Sequence, residues 1–203
     1  MEKQVDPDER ARTNAWLIYD NPTAALEKGL STEEIQTAAS YLNDHHVILN
    51  EDLFGNISGV QVVIIVQVHS RLRYLRGLIE SLRATVGIEK ALLVFSHDIV
   101  AEPLNDLVRS IRFCRVIQIF YPFSVTFFDD VRSNTDLGNY THLKSDVYPQ
   151  MKNHWWWKMN YVFDGVVKRY GLEDRHVLRL EEDNYVAPDV LHVLNQLIEQ
   201  KQS

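Results

Sequence analysis

VQVVIIVQVHSR, residues 60–71, decides the architecture. Residues 60–68 are almost all β-branched, the composition of a strand buried on both faces of a parallel sheet. The polar His69-Ser70-Arg71 breaks the run, and 72–85 then places Leu75, Leu78, Ile79 and Leu82 on one helical stripe. The same alternation continues downstream. Strands are predicted at 91–96 (ALLVFS), 116–120 (VIQIF) and 177–180, and helices at 103–111, 154–170 and 188–200. A long irregular stretch, 121–152, interrupts the series, and connections of that length in a compact domain are commonly functional. The fold class expected is α/β, a mostly parallel sheet with helices on both faces.

Upstream the pattern is weaker. Residues 1–30 read as a polar, loosely ordered segment, and 31–203 as the folded domain. Ser31 and Glu34 have capping-box spacing for a helix with Ile35, Ala38, Ala39 and Leu42 on its apolar face. Residues 50–59 read as a loop.

The chain has 203 residues, 45% hydrophobic and 24% charged, enough for a sizeable core. A net charge of −7 argues against a nucleic-acid binder working through a general basic field. The single cysteine, Cys114, excludes an intramolecular disulfide. No apolar run reaches the roughly 18–20 residues of a membrane span, and the charged N-terminus lacks a signal-peptide centre. Taken literally, such a chain is soluble and cytosolic.

Ligands of open parallel sheets bind beyond the carboxyl ends of the strands. That rule selects Gln67 to Arg71, Ser96-His97-Asp98 and Glu181-Glu182-Asp183. Strand alternation puts Glu181 and Asp183 on one side and Glu182 on the other. The acidic triplet reads either as a solvated loop or as the seat of a divalent ion shared with a bound diphosphate. Asp98 reads as a contact to a ribose or base, or as an N-cap for the next helix. His69 and Arg71 read as diphosphate contacts or as ordinary polar groups. No G-x-G-x-x-G and no P-loop is present, which disfavours a dinucleotide oxidoreductase or a nucleoside-triphosphate hydrolase. Trp155, Trp156 and Trp157 span too wide an arc of a helix to share one buried stripe. Trp155 with Met159 and Val162, and Trp156 with Phe163, are expected to point inward, and at least one of the three Trp to lie outside the core.

Four segments in order, Val66 to Arg71, Phe95 to Asp98, Gln150 to Lys158 and Leu180 to Tyr185, resemble the N-acetylglucosaminyltransferase II family. Residues 41–55 are similar to the family as well. The resemblance implies a GT-A glycosyltransferase fold and transfer of GlcNAc from UDP-GlcNAc to the 2-hydroxyl of the α1,6-arm mannose of N-glycans. It implies inversion, a need for Mn²⁺, and residence on the lumenal side of the Golgi membrane through an anchor not present in this chain.

By motif, Gln67, Val68, His69, Ser70, Arg71 and Asp98 would bind the uridine and phosphates. Gln150, Met151, Lys152, Asn153 and His154 would line the donor site, Glu181 and Glu182 would support it, and Asp183 would ligate Mn²⁺. The family's catalytic base lies well beyond the acidic triplet, so it is expected downstream of Ser203, with this chain the donor-binding half and catalytically incomplete. A non-catalytic nucleotide-sugar-binding or partner-binding product is the alternative. A metal-dependent nucleotidyltransferase shares the same acid-at-strand-end logic.

Overall fold

The computed structural model describes residues 6–124 and 144–202, without the side chains of 144–151 and 202. Four strands, β1 (Val62–Val68), β2 (Ala91–His97), β3 (Arg115–Phe120) and β4 (His176–Glu181), form a parallel sheet in the order β3-β2-β1-β4. The chain winds outward from β1 to β3 and then returns to the free side of β1. The direction of winding therefore reverses between β1 and β4, where such sheets open a crevice at the strand carboxyl ends.

Both faces of β1 are covered, which is why its sequence does not alternate. Val62, Ile64, Val66 and Val68 pack under α5 (Leu72–Arg83), α6 (Glu102–Arg109) and α8 (Val190–Gln202), against Leu75, Leu78, Leu104, Val108 and Leu191. Val63 and Ile65 pack on the opposite face with Leu92, Val94 and Ile117, under Val162, Val166 and Val167. Each fully buried Val or Ile contributes about 1.5–3 kcal/mol before chain entropy is counted.

The segment carrying those last three valines continues α7 (Lys144–Tyr161) as a π-helical turn, Val162–Val167, with Lys168 N–H donating to Phe163 C=O at 3.0 Å. The Tyr161 ring, stacked on Trp157 with centroids 5.1 Å apart, fills the space beside Gly165. A Cβ at Gly165 would meet that ring at 2.9 Å. Gly165→Ala is therefore expected to lower stability by about 1–2 kcal/mol, despite the roughly 1 kcal/mol alanine gains over glycine in helices. Urea unfolding checks this, and a raised midpoint would mean that the ring moves aside freely.

The N-terminal expectation is corrected. Residues 6–30 are not a loose segment: α1 (Pro7–Asp20) and α2 (Pro22–Glu27) are helices, capped by the Asp6 and Asn21 side chains with proline at the first turn, and residues 1–5 lie outside the described residues. Ala15 and Ile18 are fully buried against Ala38, Ala39 and Leu42 of α3 (Thr32–Asp44) and against Phe120. The helix α3 carries the expected capping box, Ser31 with Glu34. It also closes the β3 edge, because the Asn43 amide exchanges two 2.8 Å hydrogen bonds with the Phe120 backbone. Leu49 adds an antiparallel bridge to Val116. The expected loop 50–59 contains a short helix, α4 (Glu51–Phe54), and a 3₁₀ turn, Ile57–Gly59. Of the irregular stretch 121–152, residues 125–143 lie outside the described residues. The part from Lys144 onward is helical, so α7 begins well before His154.

Candidate active site

β1, β2 and β4 end side by side, and their polar exits meet there. Glu182 joins two of them. Its carboxylate is 1% exposed and accepts the His69 backbone N–H at 2.8 Å, the Arg71 backbone N–H at 3.3 Å and the Arg71 Nε–H at 2.8 Å. Its own N–H donates to Gln67 C=O at 3.0 Å. The loop after β1 is thus tied to the end of β4 by one carboxylate. As strand alternation requires, Glu181 and Asp183 point the other way, with side chains 49% and 36% exposed. Arg71 Nη2 lies 3.0 Å from Asp183 Oδ2, and Arg179 Nη1 lies 3.4 Å from Glu181 Oε1.

Asp98 sits beneath His69. Its Oδ2 is 2.5 Å from His69 Nδ1 and 3.7 Å from His154 Nδ1, while Oδ1 is buried without a partner among the described residues. The N-cap reading of Asp98 is set aside, since α6 begins behind Ala101 with no side-chain cap. Burial alone would raise the Asp98 carboxyl, but the two imidazoles more than offset it and hold it well below the usual carboxylate range. Burial would also lower His69, yet Asp98 and Glu182 outweigh it and the ring is raised. For His154 burial prevails and the ring is lowered. Ser96 Oγ is 2.8 Å from His154 Nε2, and Tyr121 stacks on the ring with centroids 5.1 Å apart.

The structure also brings in a residue the sequence reading left out. Lys158, one helical turn beyond His154, is fully buried, and its ammonium donates to Gln67 Oε1 at 2.5 Å. Burial, followed by the charge of Arg179, pushes it down to about 7. The signal was in the sequence: a lysine four residues after a site histidine lies on the same helix face.

These polar demands set the orientation of α7 and correct the tryptophan expectation. With His154 and Lys158 facing the sheet, Trp155 and Trp156 turn outward, at 36% and 66% exposure, and Phe163 is exposed as well. Met159 and Val162 pack on the core as expected, and Trp157 is the tryptophan that joins them. Trp155 carries the Arg179 guanidinium 5.5 Å above its ring.

Of the sequence-selected residues, Gln67, His69, Arg71, Asp98, His154, Glu182 and Asp183 form this one linked constellation. Val68 joins it through its carbonyl, which accepts the Asp98 N–H at 3.4 Å. Ser70 is buried in the same loop, and Glu181 borders it through Arg179. Lys152 and Asn153 are exposed on α7. Gln150 and Met151 belong to the α7 backbone, and their side chains lie outside the described residues. His192 borders a cleft with Val62, Val86 and Lys90 at the amino ends of the strands, away from this site.

The buried members, Gln67, Asp98, His154, Lys158 and Glu182, form a scaffold. The accessible ones, Arg71, Glu181 and Asp183, mix a guanidinium with carboxylates, a set that can hold an anion and a hard cation together. Among the described residues no three His, Cys, Asp or Glu side chains converge as a ready-made metal cage. The half-exposed Asp183 carboxylate fits a divalent ion that takes its remaining ligands from a diphosphate and water.

The family model for N-acetylglucosaminyltransferase II (MGAT2) matches residues 36–137 and 131–203. The chain is similar to the alpha-1,6-mannosyl-glycoprotein 2-beta-N-acetylglucosaminyltransferase of Rattus norvegicus, 36% identical over 187 residues covering 79% of this chain and 41% of the relative. The Homo sapiens enzyme of that name is 34% identical over the same shares. That of Arabidopsis thaliana is 34% identical over 204 residues, covering 91% of this chain and 45% of the relative. The chain spans less than half the length of these curated relatives.

Proposed function

The chain belongs to the N-acetylglucosaminyltransferase II family, and on that premise we propose that its site binds UDP-GlcNAc for β1,2 transfer of GlcNAc to the α1,6-arm mannose of N-glycans. The observation that carries the reading is the Glu182 tie, which holds Arg71 and Asp183 together at the winding reversal of the sheet. A sugar nucleotide leaves as a diphosphate, so the site must stabilise negative charge that grows as the glycosidic bond breaks. Arg71 carries that charge-offsetting role on this chain. Asp183 would hold Mn²⁺, which when bound supplies further electrostatic stabilisation to the leaving diphosphate. His69, pinned by Asp98 and Glu182, forms the wall beside Arg71.

Inversion requires a base on the face opposite the leaving group, and no described residue is assigned to it. Golgi lumenal residence fits the N-glycan substrate and belongs to the same proposal. Among the described residues no helix is long and apolar enough to cross a membrane.

Donor identity separates this reading from a nucleotidyltransferase. At a hundred times its Kd, UDP-GlcNAc with Mn²⁺ stabilises the folded chain by about 2.7 kcal/mol, a Tm rise of roughly 5–10 °C for a protein of this size. ATP with Mg²⁺ is expected to leave Tm unchanged. A rise with ATP and none with UDP-GlcNAc would overturn the donor assignment.

A further inference from the structure

We propose that Lys158 is a positioning residue of this site: its ammonium fixes the Gln67 amide in one orientation and thereby keeps the His69 proton on Nδ1 alone. The functional part of this rests on the donor-site reading, while the geometry stands without it. Lys158 Nζ donates to Gln67 Oε1 at 2.5 Å, and the other end of the same amide, Nε2, lies 3.2 Å from His69 Nε2. An amide nitrogen has only donors to offer, so His69 Nε2 must accept. Nδ1, 2.5 Å from Asp98 Oδ2, then carries the proton.

A flipped Gln67 amide would set its NH₂ against the Lys158 ammonium. His69 can therefore become an imidazolium only if Lys158 gives up its proton or moves away. The surrounding charges make this coupling consequential. His69 faces Asp98 and Glu182, both of which favour the imidazolium, with Arg71 opposing and the His154 ring 6.1 Å away. Lys158 faces Arg179, Glu181 and Asp98. Its buried ammonium is held by an amide, so Lys158→Met removes the desolvation cost of a charge and leaves Gln67 Oε1 without its donor, two effects of opposite sign. While it keeps its proton, Lys158 thus opposes the pull of Asp98 and Glu182 toward the imidazolium and holds the neutral His69 ring in a single tautomer.

The test is ¹⁵N-edited NMR of the histidine rings in the ligand-free protein. In the wild type at pH 6.5, below the value of about 7 to which Lys158 is pushed, His69 is expected to be protonated at Nδ1 and bare at Nε2. In Lys158→Met, Nε2 is expected to take up a proton, with the His69 titration moved up by about one pH unit or more. Lys158→Arg should restore the wild-type pattern. UDP-GlcNAc affinity is expected to fall about tenfold in folded Lys158→Met, the scale of one hydrogen bond made by a charged group.

Should Lys158→Met fail to fold, Gln67→Glu provides an independent variant. Its carboxylate accepts from Lys158 and from His69 Nε2 together, so His69 should be doubly protonated at pH 6.5. A protonated Nε2 in the wild type, or an unchanged His69 in either folded variant, would overturn the proposal. A folded wild type that shows the expected His69 pattern but binds no UDP-GlcNAc would overturn the donor reading instead, and leave the Lys158–Gln67–His69 linkage established.

Discussion

Glu182→Ala is expected to cost about 2–4 kcal/mol of folding stability and to abolish measurable UDP-GlcNAc binding. The carboxylate is buried and accepts two backbone N–H groups and the Arg71 Nε–H. Removing it leaves the backbone donors without partners and frees a guanidinium, changes that each carry penalties of about 1–3 kcal/mol, the arginine less because it can turn to solvent. The loop after β1 then loses its attachment to β4, and Arg71 its alignment with Asp183. The neighbouring Glu181→Ala is the internal control. Glu181 is half-exposed, and its loss should change stability by no more than about 0.5 kcal/mol. Urea unfolding of both variants checks the pair; equal stabilities would show that the tie at Glu182 is not what holds the two strand ends together.

The second large effect comes with acid. Burial pushes His46 down to about 4 and His97 down to about 3, both below the ordinary imidazole value of 6.5. Between those values and 6.5 the unfolded chain binds protons that the folded chain refuses. Stability is therefore lost as pH falls through this window, by about 2.7 kcal/mol per pH unit while both rings contribute. His154 is shifted the same way and adds to the loss.

His69 has the opposite sign. Its raised value gives stability that is complete below 6.5 and lost as pH rises through its folded value, so it does not offset the acid limb. The depressed Asp98 adds a further loss only below the ordinary carboxylate value. A domain with a typical stability of about 5–15 kcal/mol should be substantially weakened by pH 4.5. Urea midpoints measured at pH 7, 6, 5 and 4.5 are expected to fall steeply, and a flat series would contradict the buried neutral state of these rings.

The sheet was legible because its strands obey local rules. The β-branched run of β1 and the leucine stripe of α5 are each decided by residues within one element, and the structure matches them closely. The choice of the strand ends followed from topology, and the division of Glu181 and Asp183 from Glu182 from strand alternation. The N-terminal helices were missed although Asp6-Pro7 and Asn21-Pro22 are start signals for helices. Their apolar face is thin, Ala11, Ala15 and Ile18, and is stabilised by α3 and Phe120, distant in sequence.

The orientation of α7 was misjudged for a related reason. Apolarity placed Trp155 and Trp156 inside, whereas the hydrogen-bonding needs of His154 and Lys158 turned them out. Those needs exist only once β1 and β2 lie beneath the helix. Asp98 shows the same limit. Nothing local separates an N-cap from a histidine partner, and the choice is made by His69 and His154 arriving from two other elements.

The donor-site account is tested most directly by calorimetric titration of the folded wild type with UDP-GlcNAc, with and without Mn²⁺, beside Asp183→Asn. The account predicts binding that requires Mn²⁺ and is lost in Asp183→Asn, with the circular dichroism of the two proteins alike. Binding that is indifferent to both the metal and Asp183, or no binding by a folded wild type, would contradict it.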